Sequence, residues 1–155
     1  MRLTMYTDYS LRVMMSLAAD PERTWTIQEL ADGYGISKNH LMKVINALAQ
    51  AGRVQTVRGR GGGLRLAEGA REIRLGDLVR EFEQDFSLVE CFGGERGECI
   101  LDPGCRLKRV LGQALEAFVS VLNDYTLGDL VDRRELRTRL LFINGVGGEN
   151  GRRGG

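Results

Sequence analysis

Histidine occurs once in this 155-residue chain, at His40, and neither a base–nucleophile pair nor a phosphate-binding loop accompanies it. An enzyme is therefore not expected. Long apolar runs are missing too. The opening MRLTMYTDYSLRVMM carries polar residues throughout, so it reads as neither a signal peptide nor a membrane span, and a cytoplasmic location with no membrane partner is the expectation. Cysteine is scarce and odd in number, at three residues, which fits a disulfide framework poorly in a chain without a secretory leader. No internal repeat is present.

What is present is concentrated. Cys91, Cys99 and Cys105 all fall in one stretch, ECFGGERGECILDPGCR, with seven residues in the first gap and five in the second. Gly93, Gly94, Gly97, Pro103 and Gly104 break both helical and strand periods there. Three thiols on one irregular loop can converge on a soft metal or an iron–sulfur cluster. Three ordinary thiols are the plainer alternative. A Cys3His zinc site would have to recruit His40 from a segment of a different kind.

The net charge of +1 hides a division. Residues 1–75 hold eleven Lys/Arg and seven Asp/Glu, a balance of +4. Residues 76–104 hold two and eight, a balance of −6, and residues 105–155 hold nine and six, a balance of +3. The basic first part suits a polyanion, and the acidic part surrounds the cysteines. Carboxylates alone would suit hard cations, but thiolates favour iron or zinc.

Apolar residues Leu3, Tyr6, Leu11, Met14, Met15 and Ala18 recur at helical spacing and predict a first helix ending near Asp20-Pro21. Thr26-Ile27-Gln28-Glu29 is a capping box opening a short second helix. A tight turn from Gly33 to Ile36 leads to Ser37, the expected cap of a third helix whose inner face is Leu41, Val44, Ile45 and Leu48, with Gly52 at its end. Two helices joined by a short glycine-containing turn make a helix-turn-helix. Its third helix offers Ser37, Lys38, Asn39, His40, Lys43 and Gln50 to base edges and phosphates, so His40 is more simply a DNA-facing residue than a metal ligand.

After Gly52 the period shortens. Val54 and Thr56 alternate, then RGRGGG, then Leu64-Arg65-Leu66, which reads as a β-hairpin tipped by Arg58 and Arg60. Glycine permits close backbone approach, and arginine suits a narrow minor groove. A phosphate cradle is the competing reading, but no strand-to-helix junction or Lys-Ser/Thr follows the glycines. The first unit is thus expected to be a winged helix-turn-helix.

IRLGDLVREF, from Ile73 to Phe82, predicts a fourth helix. After Cys105, Leu107, Val110, Leu111, Ala114, Leu115, Phe118, Val121 and Leu122 predict a helix of about 18 residues, roughly 27 Å long. That exceeds what a small winged helix needs, and such a stripe commonly meets its copy across a two-fold axis. Thr126-Leu127-Gly128-Asp129 is a second capping box, opening a final helix. The expected organisation is a mainly α chain with a small β-hairpin. Residues 1–75 form the winged helix-turn-helix, 76–104 a connecting helix and cysteine loop, 105–143 a long dimerisation helix and C-terminal helix, and 144–155 a flexible glycine-rich tail.

The segment SKNHLMKVINALAQAG, the wing RGRGGGLRL, the run IRLGDLVREFE and the three cysteines together resemble the IscR/NsrR family of iron–sulfur transcription regulators. LTMYTDYSLR, SLVEC, CRLKRVL and DYTLGDLV look like that family's nitric-oxide-sensing repressors, so the resemblance covers residues 1 to about 132. It implies a homodimer on a palindromic double-stranded operator, released when nitric oxide nitrosylates an iron–sulfur cluster held in each subunit. It also implies ligands: Cys91, Cys99, Cys105 and, as the non-cysteine fourth, Asp8 of the partner subunit. The cluster would be 4Fe–4S, with 2Fe–2S the alternative. Arg12, one turn after Asp8, is placed to pair with it. The first cysteine gap is a little longer than in the family, by glycine, glutamate and arginine in a loop, where added length costs little.

Other readings stay in view. A regulator of the same family would sense iron–sulfur or redox status in place of nitric oxide. A cluster carrier or electron-transfer protein would leave the helix-turn-helix without a purpose, and a zinc-stabilised repressor would be colourless.

Overall fold

Thr4 begins the first helix of the computed structural model, which describes residues 2–89, 92, 101 and 104–143. Its hydroxyl accepts the Thr7 N–H, and α1 runs Met5–Ala19, two residues later than the apolar pattern alone suggests. Thr7, Ser10 and Ser16 are buried on α1 beside Val13, Met14 and Leu17, polar residues that an apolar count passes over.

Both capping boxes form. Thr26 and Glu29 open α2, Ile27–Tyr34, and Thr126 and Asp129 open α6, Leu127–Val131. Partial burial works to raise the Glu29 carboxyl, but the Thr26 hydrogen bonds and the Arg23 charge outweigh it and hold it below the usual carboxylate range. Gly35, at φ 63°, ends α2 in the left-handed conformation that glycine adopts without strain. Ser37 caps α3, Lys38–Gln50, and Leu41, Val44, Ile45 and Leu48 are buried as expected.

Strands β1, Val54–Val57, and β2, Gly63–Leu66, pair antiparallel with Val54 opposite Leu66 and Val57 opposite Gly63. The wing has a third member. Trp25 bridges Leu64 through both backbone bonds, at 2.9 and 2.7 Å, and its ring is fully buried beneath the Arg23 guanidinium, 3.8 Å away.

The fourth helix is α4, Leu75–Phe82, preceded by a 3-10 turn over Ala70–Glu72. Ile73 does not enter it: its carbonyl accepts the Leu127 N–H, while Arg74 bridges Thr126. The long helix is α5, Arg106–Asn123. Its broad stripe divides in two. Val119 is buried against the α4 side and Leu122 packs on the core, whereas Leu107, Val110 and Val121 are exposed. The single final helix expected from Thr126 is two. After α6 stops at Val131, α7 covers Arg134–Leu141, and both return to pack on α1. Arg137 donates to the Ala19 carbonyl at 2.8 Å and Arg23 to that of Leu141 at 3.0 Å. Leu127, Val131, Leu140 and Ile143 join Val13, Met14 and Leu17 in one core.

Helices α4 and α5 meet at a glycine. A Cβ on Gly76 would lie 2.7 Å from the Val119 carbonyl oxygen and would also strike the Asn123 side chain. Gly76→Ala should therefore destabilise by about 1–3 kcal/mol, against the usual gain for glycine to alanine in a helix. Gly112, with open space around it on α5, should show the ordinary gain of up to about 1 kcal/mol. Thermal melts of the two variants would check the opposite signs. Among the described residues no helix is long and apolar enough to cross a membrane.

Candidate nucleic-acid interface and cysteine site

The core fixes which face of α3 points outward. With Leu41, Val44, Ile45 and Leu48 inside, Lys38, Asn39, His40, Lys43 and Gln50 are all exposed. The Ser37 hydroxyl accepts the His40 N–H at 3.3 Å, so its cap role leaves its proton available to a phosphate oxygen. Ile36, whose N–H reaches the Ala31 carbonyl at 3.0 Å, is buried and holds the turn between α2 and α3. The outward face also carries Asn46, two turns from Asn39, and Met42 at its flank. Neither stands out in the sequence, although the 3.6-residue period that places Asn39 and Lys43 outward also places Asn46 there.

Arg58 and Arg60 stand exposed at the tip of the wing. Gly59 and Gly61 take φ 100° and 74°, and the Gly62 N–H closes the tip onto the Gly59 carbonyl at 2.9 Å. A side chain at Gly62 would strike the Val57 carbonyl, so the tip keeps this shape only with glycine. Arg65, by contrast, is half-buried and donates to the Thr24 hydroxyl at 2.8 Å. The tight tip thus carries two exposed guanidinium groups, with no acid in the sequence between Val57 and Gly63 and no ion pair to either among the described residues.

Of the expected cluster ligands, Cys91 and Cys99 lie outside the described residues, as does the tail from residue 144. Cys105, a free thiol among the described residues, is half-buried at the N-cap of α5. Its sulfur accepts the Lys108 N–H at 3.5 Å. Sulfur is a donor that suits an iron centre. Among the described residues alone, no three His, Cys, Asp or Glu side chains gather around a point.

Asp8 occupies the first turn of α1, half-exposed. Arg12 grips it with both ends of the guanidinium, Nε to Oδ1 at 3.0 Å and Nη2 to Oδ2 at 2.9 Å. The same guanidinium lies 5.9 Å from the Tyr34 ring on α2. The Tyr34 hydroxyl donates to the Arg12 carbonyl at 3.0 Å and stands 2.6 Å from the Ser16 hydroxyl. Burial, the largest influence on it, pushes that phenol above its usual range. Asp8 is therefore linked side chain by side chain to the helix-turn-helix. A cavity of about 520 Å³ lies nearby, walled by Leu3, Phe86, Leu88, Leu115 and Phe118, with Arg2 and Glu83 at its polar side.

A family model described as "Rrf2: Iron-dependent Transcriptional regulator" matches residues 3–133. The chain is 51% identical over 142 residues to the "HTH-type transcriptional regulator NsrR" of Bacillus subtilis, covering 91% of this chain and 97% of that one. The protein of the same name from Bacillus licheniformis is 50% identical, with 91% and 99% covered. Among solved structures, CymR, described as the global cysteine regulator of B. subtilis, superposes with a TM-score of 0.68 at 28% identity, over 84% of this chain and 96% of that one. IscR of T. potens superposes with a TM-score of 0.63 at 26% identity, over 84% and 86%.

Proposed function

We propose, from the premise that this chain belongs to the Rrf2 family of transcriptional regulators, that it is an iron–sulfur, nitric-oxide-sensitive repressor acting as a homodimer on a palindromic operator. It is a DNA-binding regulator and not an enzyme. The finer reading is supported by one observation: the Cys105 thiol, free among the described residues, caps α5, a helix with an exposed apolar stripe. A cytoplasmic location accords with it.

Cys91, Cys99 and Cys105, with Asp8 of the partner subunit, would hold the cluster, 4Fe–4S with 2Fe–2S as the alternative. When bound, the cluster supplies the reactivity toward nitric oxide. The donors fit iron unequally, because a carboxylate is a harder ligand than a thiolate and makes the weaker bond. Arg12 orients Asp8 and, through Tyr34, ties it to α2. Holding Asp8 to the other protomer fixes α1, and with it the separation of the two α3 helices. DNA half-sites one helical turn apart tolerate little error in that separation. A coupling of about 1–3 kcal/mol, roughly 5–150-fold in affinity, suffices for a switch.

On DNA, Ser37, Lys38, Asn39, His40 and Lys43 would address the major groove and phosphates, and Arg58 and Arg60 the minor groove beside it. Arg60→Ala should weaken operator binding and reduce the salt slope by about one per subunit, about two for the dimer. An unchanged slope in binding titrations across salt would remove the wing from the interface.

The family's description as iron-dependent favours one second reading, in which the signal is iron–sulfur status. Anaerobic purification with iron and sulfide counting, followed by nitric oxide titration under an absorbance spectrum, tests both. Coloured protein whose spectrum changes at stoichiometric nitric oxide supports the first reading. Coloured protein indifferent to it supports the second, and colourless zinc protein contradicts both.

A further inference from the structure

Three helices of this protein begin at a threonine, and two of them carry the acid of a capping box three residues on. In α2 the Glu29 carboxylate accepts from the Thr26 N–H at 2.7 Å and hydroxyl at 2.9 Å. In α6 the Asp129 carboxylate does the same for Thr126, at 2.8 Å each. In α1 the corresponding position holds Thr7, which has no carboxylate. The acid comes from elsewhere in the chain. Glu83, the residue that ends α4, turns its Oε2 into the start of α1 and accepts from the Thr4 N–H at 2.8 Å, the Thr4 hydroxyl at 3.1 Å and the Thr7 hydroxyl at 2.8 Å.

This carboxylate is only 6% exposed, and no salt bridge to it stands among the described residues. A buried carboxylate is tolerated only with strong hydrogen bonds and a favourable potential, and a helix N-terminus provides both. Next to it Phe82 packs edge-on against Tyr6, with ring centroids 6.3 Å apart. The end of α4 thus grips the first turn of α1 by two adjacent residues. Asp8 belongs to that turn: its N–H makes the helix's opening bond, to the Thr4 carbonyl at 3.0 Å. Glu83 also stands eight residues before Cys91, at the root of the cysteine loop.

We infer that Glu83 is the positioning residue for Asp8, closing the N-terminus of α1 from across the fold and so fixing the turn from which Asp8 projects. The inference rests on the proposed ligand role of Asp8 for its consequence, but not for the clasp itself. Losing the carboxylate leaves the Thr4 N–H without its acceptor and lets the first turn fray, and Asp8 then samples orientations that the Arg12 grip alone does not restrict.

Two variants separate this from general destabilisation. Glu83→Gln keeps a carbonyl acceptor of the same reach, and Glu83→Ala keeps none. In metal-free protein, hydrogen exchange at the Thr4, Thr7 and Asp8 amides should rise about tenfold in Glu83→Ala, the order expected for one lost amide hydrogen bond, with most of the change recovered in Glu83→Gln. Exchange that matches the unsubstituted protein at those amides overturns the clasp, whatever iron does. In anaerobically reconstituted protein, the visible circular dichroism of Glu83→Ala should shift toward that of Asp8→Ala, with Glu83→Gln close to the unsubstituted spectrum. If Asp8→Ala alters the spectrum and Glu83→Ala does not, Glu83 does not position Asp8. If Asp8→Ala leaves the spectrum unaltered, the ligand role proposed above is the part that fails.

Discussion

Replacing Val110 by glutamate is expected to give a folded monomer whose operator affinity falls by about 10²–10⁴-fold, the range set by losing a second linked site. Val110 belongs to a run on α5 spaced alternately by three and four residues: Leu107, Val110, Ala114, Ala117 and Val121. That is the 3.5-residue repeat of a helix seam. Leu107, Val110 and Val121 are 63%, 51% and 60% exposed, although the opposite side of the same helix lies on α4 through Val119 and Asn123. Across a two-fold axis a patch meets its own copy, so each introduced carboxylate would face another or lie buried unpaired. The fold of the protomer should survive, because Val110 is exposed and stands outside the core of the described residues. Sedimentation equilibrium and operator titration would check both halves. A dimer that persists at micromolar concentration would move the interface elsewhere.

Cys105→Ser should separate folding from iron. Serine is a better helix cap than cysteine, and the hydroxyl can accept the Lys108 N–H that the sulfur now accepts at 3.5 Å. The melting temperature should therefore hold or rise slightly. Iron per chain should fall roughly tenfold or more, since disturbing even an outer partner of a metal ligand costs about 10–100-fold in affinity. Colorimetric iron counting beside a thermal melt gives the two numbers. Undiminished iron would mean that Cys105 is only a cap.

Local signals are legible in the sequence, and distant ones are not. Thr26 with Glu29, Thr126 with Asp129, Ser37 and the glycines of the wing each act within a few residues, and each forms the element its spacing predicts. The pairing of Asp8 with Arg12 is of the same short-range kind. The Glu83 clasp joins residues 76 and 79 positions apart, so no window of sequence contains it. Trp25 enters the sheet as one bridging residue, too short to show a strand period. Helix α7 shows no legible apolar period, because Arg134, Arg137 and Arg139 interrupt its few apolar positions, and its place is set by contacts with α1. The stripe on α5 was legible as a stripe, but its division into a covered and an uncovered side depends on where α4 lies. For the proposed cluster, sequence supplies all three thiols, and the described structure adds the setting of Cys105 and Asp8.

Operator affinity measured at one fixed salt concentration, for anaerobically prepared iron-containing protein, metal-free protein and nitric-oxide-treated protein, tests the central claim most directly. The iron-containing dimer should bind at least about fivefold more tightly than either of the others, the lower end of an ordinary allosteric coupling. Equal affinity in all three states would contradict it.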